Sequence, residues 1–280
     1  RLETLHVSRT GVTNAGLAHF KGCKALTELL LNNVKVTDAG LAHFSGCKSL
    51  RILGLSGMGG GRITDDGLAH FKDSKLLLTL TLNGQRGVTD AGLAHFKDCR
   101  HLNIVGLAQT GVTDAGLEVL KGRKNLSQLI LAETGVTDAG LAHLKECEGL
   151  QMLVLVGTNV TGEGLVHLKE CRRLMSLILD RTKVTGAGLE HLRDCANLRN
   201  LMLPFTRVTD EGLANVKECK CVVSLNLMAT QVTDAGLDHL VELNRLEFLN
   251  LRGTKVTAQG VAKLRQALPR CKVDWDPPKG

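Results

Sequence analysis

A unit of 24 residues repeats along the whole chain and constrains its fold more than any other feature. The best-preserved copies read V-T-D-A-G-L-A-H-[FL]-K-x-C-x-x-L-x-x-L-x-L. Successive copies are 24 residues apart, except for steps of 27 from Leu50 to Leu77 and 25 from Leu77 to Leu102. A fixed period of this size is typical of a solenoid, in which each unit buries its apolar side against its neighbours. The sequence therefore predicts about twelve equivalent units.

We expect these units to form one domain over residues 1–280, with a final strand and tail over residues 269–280. Six Phe, one Trp and no Tyr leave the core to Leu, Val, Ile and Ala, with Trp275 in the place of the last inward Leu. No apolar run reaches the roughly 20 residues that a helix needs to span a bilayer. Because the repeat is already under way at Leu2, we expect the chain to be truncated at its N-terminus.

Each unit is predicted to contain one strand and one short helix. In residues 126–131, leucines alternate with Gln128 and Ile130, which is typical of a strand with one buried face. Thr137 suits the N-cap of a following helix whose first turn holds Asp138. The buried stripe of that helix is predicted to be Gly140, Leu141, Leu144 and Cys147. The helices would form the convex side of the solenoid and a parallel sheet its concave side.

These units resemble the leucine-rich repeat family, and most closely its cysteine-containing subtype, which reads roughly L-x-x-L-x-L-x-x-C-x-x-[IV]-T-D-x-G-L-x-x-L-x-x-x-C. The second Cys of that pattern is kept, but the loop position usually holds Thr, as at residues 110, 134, 158, 182, 206, 230 and 254. Similar V-T-D-A-G-L arrays look bacterial and planctomycete-like. The resemblance covers essentially the whole chain and implies an α/β horseshoe that recognises a protein or peptide on its concave face. No F-box-like segment is visible, so the ubiquitin-ligase role of some relatives is not carried over.

Two repeated residue types suggest a metal or catalytic array at first sight. Cys recurs at residues 23, 47, 99, 147, 171, 195 and 219, and His at 19, 43, 70, 95, 143, 167, 191 and 239. Leu243 and Ala267 replace the Cys in other units, and Cys219-x-Cys221 lacks the spacing of a zinc site. We therefore expect buried reduced thiols, half-buried imidazoles, no metal and no cofactor. Buried thiols favour a reducing compartment, here the cytoplasm.

A net charge of +7 raises the question of a nucleic-acid partner. Much of the charge comes from one Lys or Arg per unit near the end of the predicted helix, where a cation complements the helix dipole. Few aromatic residues are present to stack on bases, and acids such as Asp98 and Glu146 follow directly. We therefore expect neither a nucleic-acid nor a membrane partner.

Two longer loops break the period and carry a candidate lip around the binding side. The first, residues 56–62, adds three residues, and the second, residues 83–87, adds one. Insertions in solenoids often decorate the binding side. The candidate lip residues are Met58, Arg62, Gln85 and Arg86. The alternative is a bulge that the fold tolerates.

The outward strand positions carry the main functional prediction. Ile130, Val154, Ile178 and Met202 occupy one position in successive units, and a contiguous exposed apolar area commonly marks an interaction site. The predicted partner contacts are Ile104, Ile130, Met152, Val154, Val156, Ile178, Asp180, Met202, Phe205 and Met228. Asp180 with Arg181, and Arg252 with Asp274, would add polar specificity at the rim. The alternatives are plain β-propensity and a homodimer that packs two concave faces together.

The sequence therefore predicts a non-enzymatic scaffold that binds a protein or peptide through its concave face. No catalytic set can be singled out from equivalent units. The alternative function is a sensing segment of a larger multidomain enzyme, such as a kinase or a ubiquitin-ligase-like enzyme, whose catalytic part lies outside this chain. A catalytic or metal-binding array of His and Cys is the least favoured hypothesis.

Overall fold

Twelve parallel strands form one sheet in chain order. The computed structural model describes residues 2–57 and 62–277. The strands are β1 (Thr4–His6), β2 (Glu28–Leu30), β3 (Ile52–Gly54), β4 (Thr79–Thr81), β5 (Ile104–Gly106), β6 (Gln128–Ile130), β7 (Met152–Val154), β8 (Ser176–Ile178), β9 (Asn200–Met202), β10 (Ser224–Asn226), β11 (Phe248–Asn250) and β12 (Lys272–Asp274). The predicted parallel sheet with one strand per unit is confirmed.

Equivalent residues of successive units pair across the sheet. Leu129 of β6 pairs with Leu153 of β7, which is a separation of one period. The longer steps leave this register unchanged, because Leu53 pairs with Leu80, and Leu80 pairs with Val105. The extra residues are therefore accommodated in the loops, and every unit keeps the same residues facing the same side.

A short helix follows each of the strands β1 to β11. The α-helices are α1 (Asn14–Ala18), α2 (Asp38–Leu41), α3 (Asp65–Ala69), α4 (Asp90–Ala94), α5 (Asp138–Leu141), α6 (Asp210–Val216), α7 (Asp234–Leu237) and α8 (Ala258–Ala267), and the 3₁₀ helices are Ala42–Phe44, Ala115–Leu120, Ala142–Leu144, Glu163–Leu168 and Ala187–Leu192. An α-helix was predicted in every unit, but three units have only a 3₁₀ helix. Segments this short gain little from the cooperativity of α-helix formation. Within the described residues, a membrane-crossing helix is excluded by length and polarity.

The inward side chains form one continuous apolar core between the sheet and the helices. Leu126, Leu129 and Leu131 are fully buried, as the alternation predicted. Burying a Leu side chain contributes roughly 1.5–3 kcal/mol to folding, and the same burial recurs in every unit. Trp275 packs against the core in the place of the last inward Leu, and its indole Nε1 donates to the carbonyl of Val256 at 3.0 Å.

At seven junctions between described units, the V-T-D segment joins one unit to the next through an Asp–Thr pair. Asp138 accepts from the backbone N–H of Thr161 at 2.8 Å and from its hydroxyl at 2.6 Å. The same geometry recurs for Asp38–Thr64, Asp65–Thr89, Asp90–Thr113, Asp114–Thr137, Asp210–Thr233 and Asp234–Thr257. The predicted N-cap is only partly confirmed, because the Thr side chain accepts from the first turn in α4, α5, α7 and α8 but not in α1, α2, α3 or α6.

Candidate binding surface

The candidate surface is the face of the sheet that points away from the helices, which we call the open face. The first and third residues of each strand point to this face, while the middle residue, such as Leu129, is buried in the core. Ile130, Val154, Ile178 and Met202 pair in order across β6 to β9 and are all partly exposed. We call these four residues the apolar row. At about 4.8 Å between strands, the row spans about 14 Å.

The other predicted contact residues follow the outward register of the same face, except Phe205, which lies in the turn after β9. Ile104 and Met152 begin their strands, and Val156, Asp180 and Met228 lie two residues beyond the end of a strand. Phe205 lies three residues beyond the end of β9. All are partly exposed, and the Phe205 side chain is the most open of the set, at 49%. The apolar row ends where Gly106 pairs with Ile130 and where Asn226 pairs with Met202. The structure therefore places the strand residues on one surface, with Phe205 in the turn beside it; that they contact a partner remains a prediction.

A polar ladder follows the strands in the first four units. Each of its side chains accepts a hydrogen bond from the backbone N–H of the equivalent residue in the next unit. The bonds run from Asn32 N to Ser8 Oγ (3.0 Å), Ser56 N to Asn32 Oδ1 (2.8 Å), Asn83 N to Ser56 Oγ (3.2 Å) and Ala108 N to Asn83 Oδ1 (2.8 Å). In the eighth unit this position holds Asp180, and the equivalent residue of the ninth unit is Pro204. Proline has no backbone N–H, so the expected donor to Asp180 is missing.

Asp180 is consequently a carboxylate with an unsatisfied oxygen on the open face. In the described part of the chain, its Oδ1 atom is the one buried side-chain oxygen or nitrogen without a hydrogen-bond partner. Burial raises the pKa of the Asp180 carboxyl above its usual value, while a hydrogen bond from its own backbone N–H to the carboxylate and the charge of Arg181 oppose that rise. The Arg181 guanidinium lies 5.7 Å from the centre of the Phe205 ring instead of pairing with the carboxylate.

A second feature of the open face, the exposed side chain of Phe248, was not predicted from the sequence. The Phe248 side chain is 52% exposed, and it lines a shallow cavity of about 260 Å³ with Met202, Asn226 and Asn250. Extending the outward register from the tenth to the eleventh unit would have identified Phe248, because it pairs with Ser224 at the first strand position. This aromatic side chain extends the candidate surface beyond the apolar row.

The predicted polar rim near the C-terminal end is an ion-pair cluster. The guanidinium of Arg252 lies 3.9 Å from Asp274 and 4.0 Å from Asp276. Asp276 also accepts from the backbone N–H of Gly253 at 2.9 Å. These charges are exposed, so their pairing contributes little to stability and leaves them available to a partner.

The predicted lip is corrected at Gln85. Its side chain is buried, donates to the carbonyl of Leu55 at 2.6 Å and accepts from the backbone N–H of Ile63 at 3.2 Å. Gln85 therefore links the second longer loop to the first, because its side chain satisfies a backbone group on each side of that loop. It is not a surface contact. Arg62 and Arg86 are exposed, whereas Met58 lies outside the described residues.

The repeated cysteines are packed as protonated thiols that donate to the preceding unit. The thiol of Cys147 donates to the carbonyl of Leu120, and that of Cys195 donates to Leu168, at 3.5 and 3.6 Å. Burial raises the pKa of both thiols to about 11. A protonated thiol is a poor metal ligand and a poor nucleophile. Within residues 2–57 and 62–277, no three His, Cys, Asp or Glu side chains converge into a metal site.

Comparison with known proteins identifies the fold. No family model matches the chain, and no curated protein matches it either. Its structure is similar to an internalin from Listeria monocytogenes, with a TM-score of 0.67 and 18% identity over 100% of this chain and 88% of that one. A leucine-rich repeat protein of Leptospira interrogans gives a TM-score of 0.67 and 16% identity over 98% of this chain and 72% of that one.

A third similar structure is a chain of the octameric complex of Latrophilin 3, Unc5D and FLRT2, which includes the leucine-rich repeats of FLRT2. Its TM-score is 0.60 and its identity 15%, over 100% of this chain and 85% of that one. The fold of this chain is therefore that of a leucine-rich repeat solenoid, as predicted. Similarity at this level of identity concerns the fold alone.

Proposed function

We propose that this chain is a non-enzymatic scaffold that binds a protein or peptide on its open face. The observation that carries the proposal is the apolar row, because four partly exposed apolar side chains are aligned on neighbouring strands, and none of the elements in residues 2–57 and 62–277 covers them fully. Contiguous exposed apolar area of this kind commonly marks an interaction site. Phe248 adds a half-exposed aromatic ring on the same face, and Phe205 adds another in the turn after β9; aromatic residues are enriched at binding hot spots.

A similar structure supports this proposal by analogy. The leucine-rich repeats of FLRT2 are part of an assembly with Latrophilin 3 and Unc5D. The rigid sheet of a solenoid also favours recognition, since its side chains are held in place before the partner arrives and lose little conformational entropy on binding.

The arrangement of polar groups favours binding over catalysis. Seven buried cysteines act as small packing residues, and seven of the eight repeated histidines are half-buried along the helices rather than on the open face. Buried thiols of this kind suit a reducing compartment, so we also place the chain in the cytoplasm.

The proposal is tested with a charged apolar row and a matched control. The row variant combines Ile130→Asp, Val154→Asp and Ile178→Asp. The control variant adds the same three charges to the helix side, at exposed positions, as Ala115→Asp, Ala139→Asp and Ala187→Asp. Acidic residues early in a helix suit its dipole, so the control should fold at least as well as the wild type.

Affinity capture from a lysate of the source organism is then compared among the three proteins after circular dichroism shows that each is folded. We expect a protein to be retained by the wild type and by the control variant, and to be lost from the row variant. Equal retention by all three proteins, or retention by none, contradicts the proposal. Light scattering of the purified wild type separates the homodimer alternative, which requires a dimer that the row variant cannot form.

A further inference from the structure

We propose that Asp180 is the anchor for a lysine or arginine side chain of the protein or peptide bound on the open face. The inference rests on the proposed function and adds to it the chemistry of the partner at one position. The partner segment would place a cation over Asp180 and apolar side chains over the neighbouring row.

The argument begins with the missing donor. Where the polar ladder holds Asn83, the next unit supplies the N–H of Ala108 at 2.8 Å. Where it holds Asp180, the next unit supplies Pro204, which cannot donate. Oδ1 of Asp180 is therefore buried and unpaired, although the fold provides a donor at equivalent positions elsewhere. A buried polar atom left without a partner is costly, and because the Asp180 residue as a whole is partly exposed, a donor from outside the chain can approach its carboxylate.

The charge of the group then selects the kind of donor. The neighbouring cation, Arg181, is placed over the Phe205 ring and makes no ion pair with Asp180 in the described structure. A carboxylate that is partly removed from water is stabilised most strongly by a charged N–H donor. Lysine and arginine supply such donors, whereas a neutral amide N–H forms a weaker hydrogen bond with a carboxylate.

The surroundings define what lies next to that cation. Val156 and Pro204 flank Asp180 at the equivalent position in the adjacent units, and Ile178 lies two residues earlier on the same strand face. Two residues along a strand correspond to about 7 Å, so the carboxylate is that far from the apolar row. The recognised segment should therefore combine one basic residue with apolar residues close to it, and the aliphatic stem of Lys or Arg can lie over Val156.

The experiment selects binders from a displayed library of random peptides on three immobilised proteins: the wild type, Asp180→Asn, and the row variant defined above. The wild type should enrich peptides with Lys or Arg at one fixed position beside apolar residues. Asp180→Asn keeps the shape of the side chain but removes its charge, so it should lose the preference for a cation and keep the apolar preference. A wild-type-selected peptide should bind Asp180→Asn at least about tenfold more weakly.

Two further arms make the result specific. Replacing the basic residue of a selected peptide with norleucine should weaken binding to the wild type, but should cause little additional loss on Asp180→Asn, because the two changes remove the same interaction. Asp180→Lys should instead enrich peptides with Asp or Glu at that position. Thermal unfolding of each variant establishes that it is folded.

The outcomes separate the two proposals. Peptides that require the apolar row but show no preference for a cation, or that bind Asp180→Asn as tightly as the wild type, overturn the role of Asp180 and leave the proposed function standing. If the wild type enriches nothing beyond what the row variant enriches, the proposed function fails, and the anchor at Asp180 fails with it.

Discussion

A methyl group on Gly164 would lie 2.8 Å from Cγ of Asp138 in the preceding unit. That carboxylate is held in place by Thr161, three residues before the glycine, whose N–H and hydroxyl both donate to it. The glycine at this helical position is therefore required by close contact with the neighbouring unit. At Gly164 the contact is with the Asp of the Asp–Thr pair, whereas at Gly188 and Gly212 it is with the backbone of Gly162 and Gly186.

We expect Gly164→Ala to lower the free energy of unfolding by roughly 1–3 kcal/mol, because the new methyl group must displace the Asp138 side chain in a packed site. The midpoint of urea unfolding, followed by circular dichroism, measures the effect. Gly11→Ala is the matched control, since a Cβ there meets nothing within 4 Å and its backbone is not in the left-handed region. Equal loss in the two variants would contradict this account of the glycine.

Asp138→Ala should cost about 1.5–3 kcal/mol, because it removes two hydrogen bonds to a charged group and leaves the Thr161 N–H without its acceptor. Asp138→Asn should cost clearly less, since Asn14 already makes the equivalent contacts with Thr37 at 3.0 and 2.8 Å. Thermal and urea unfolding of the two variants measure the difference. If Asn is as damaging as Ala, charge rather than hydrogen bonding holds the units together.

The Asp–Thr pair also shows where sequence analysis stops. The strand and its inward leucines were predictable, because a period of two within one unit fixes which residues are buried. Asp138 was interpreted as a first-turn acid that complements the helix dipole, since the sequence shows only its local neighbours. Its actual partner, Thr161, lies 23 residues away, and that contact depends on how closely successive units stack.

The same distinction applies to the open face. The apolar row was predictable, because it requires only that equivalent positions of successive units align. Asp180 was predicted as a rim contact, but its missing partner was not, because the relevant neighbour is Pro204 of the next unit. Phe248 was missed although the register alone would have identified it.

The cysteines should differ sharply in reactivity. Burial raises the pKa of Cys171 and Cys219 to about 12, so their thiolates are scarce at neutral pH, whereas Cys23 and Cys221 are only half-buried. Alkylation of the native protein with iodoacetamide, read by peptide mass spectrometry, should label Cys23 and Cys221 first. Fast labelling of Cys171 in the native state would contradict the buried, protonated assignment.

The same raised pKa values predict weakening of the fold in alkali. A buried thiol keeps its proton in the folded state after the unfolded chain has begun to lose it, near the ordinary value of 9.0. The unfolded state then binds fewer protons, so stability falls as the pH rises above that value. As the pH rises from neutral to alkaline, the free energy of unfolding should decrease less for Cys171→Ala than for the wild type. The loss of stability from the cavity, measured at neutral pH, is subtracted before the comparison.

Asp180→Asn should stabilise the free protein, and increasingly so with rising pH. The pKa of Asp180 is raised in the folded state, so below the ordinary pKa of 3.8 both states hold the proton and the carboxyl costs nothing through ionisation. As the pH rises from that value to the folded pKa, the unfolded state releases its proton first and the wild type loses stability, until both states are ionised. Urea unfolding across this range should show the free energy of unfolding of Asp180→Asn increasing relative to that of the wild type. A constant difference at every pH would contradict the raised pKa.

Pro204→Ala provides the most direct test of why Asp180 lacks a partner. The substitution restores a backbone N–H at the position from which Ala108 donates to Asn83 at 2.8 Å. A hydrogen bond to the ionised carboxylate favours the charged form, so the pKa of Asp180 should fall towards its ordinary value. Stability alone is a poor measure here, because a gain of about 1 kcal/mol from the new bond opposes a loss of about 0.4–1 kcal/mol from the freer unfolded chain.

The carboxyl carbon signal of Asp180, assigned by its absence in Asp180→Asn and followed by NMR during an acid titration, reports the pKa without that cancellation. Pro269→Ala makes the same chemical change at an exposed site and should leave the titration of Asp180 as it is in the wild type. If Asp180 titrates identically in Pro204→Ala, the proline is not what deprives the carboxylate of its donor. If the pKa falls, Pro204 is the reason that the Asp180 carboxylate lacks a donor, which is the observation on which the proposed cation anchor rests.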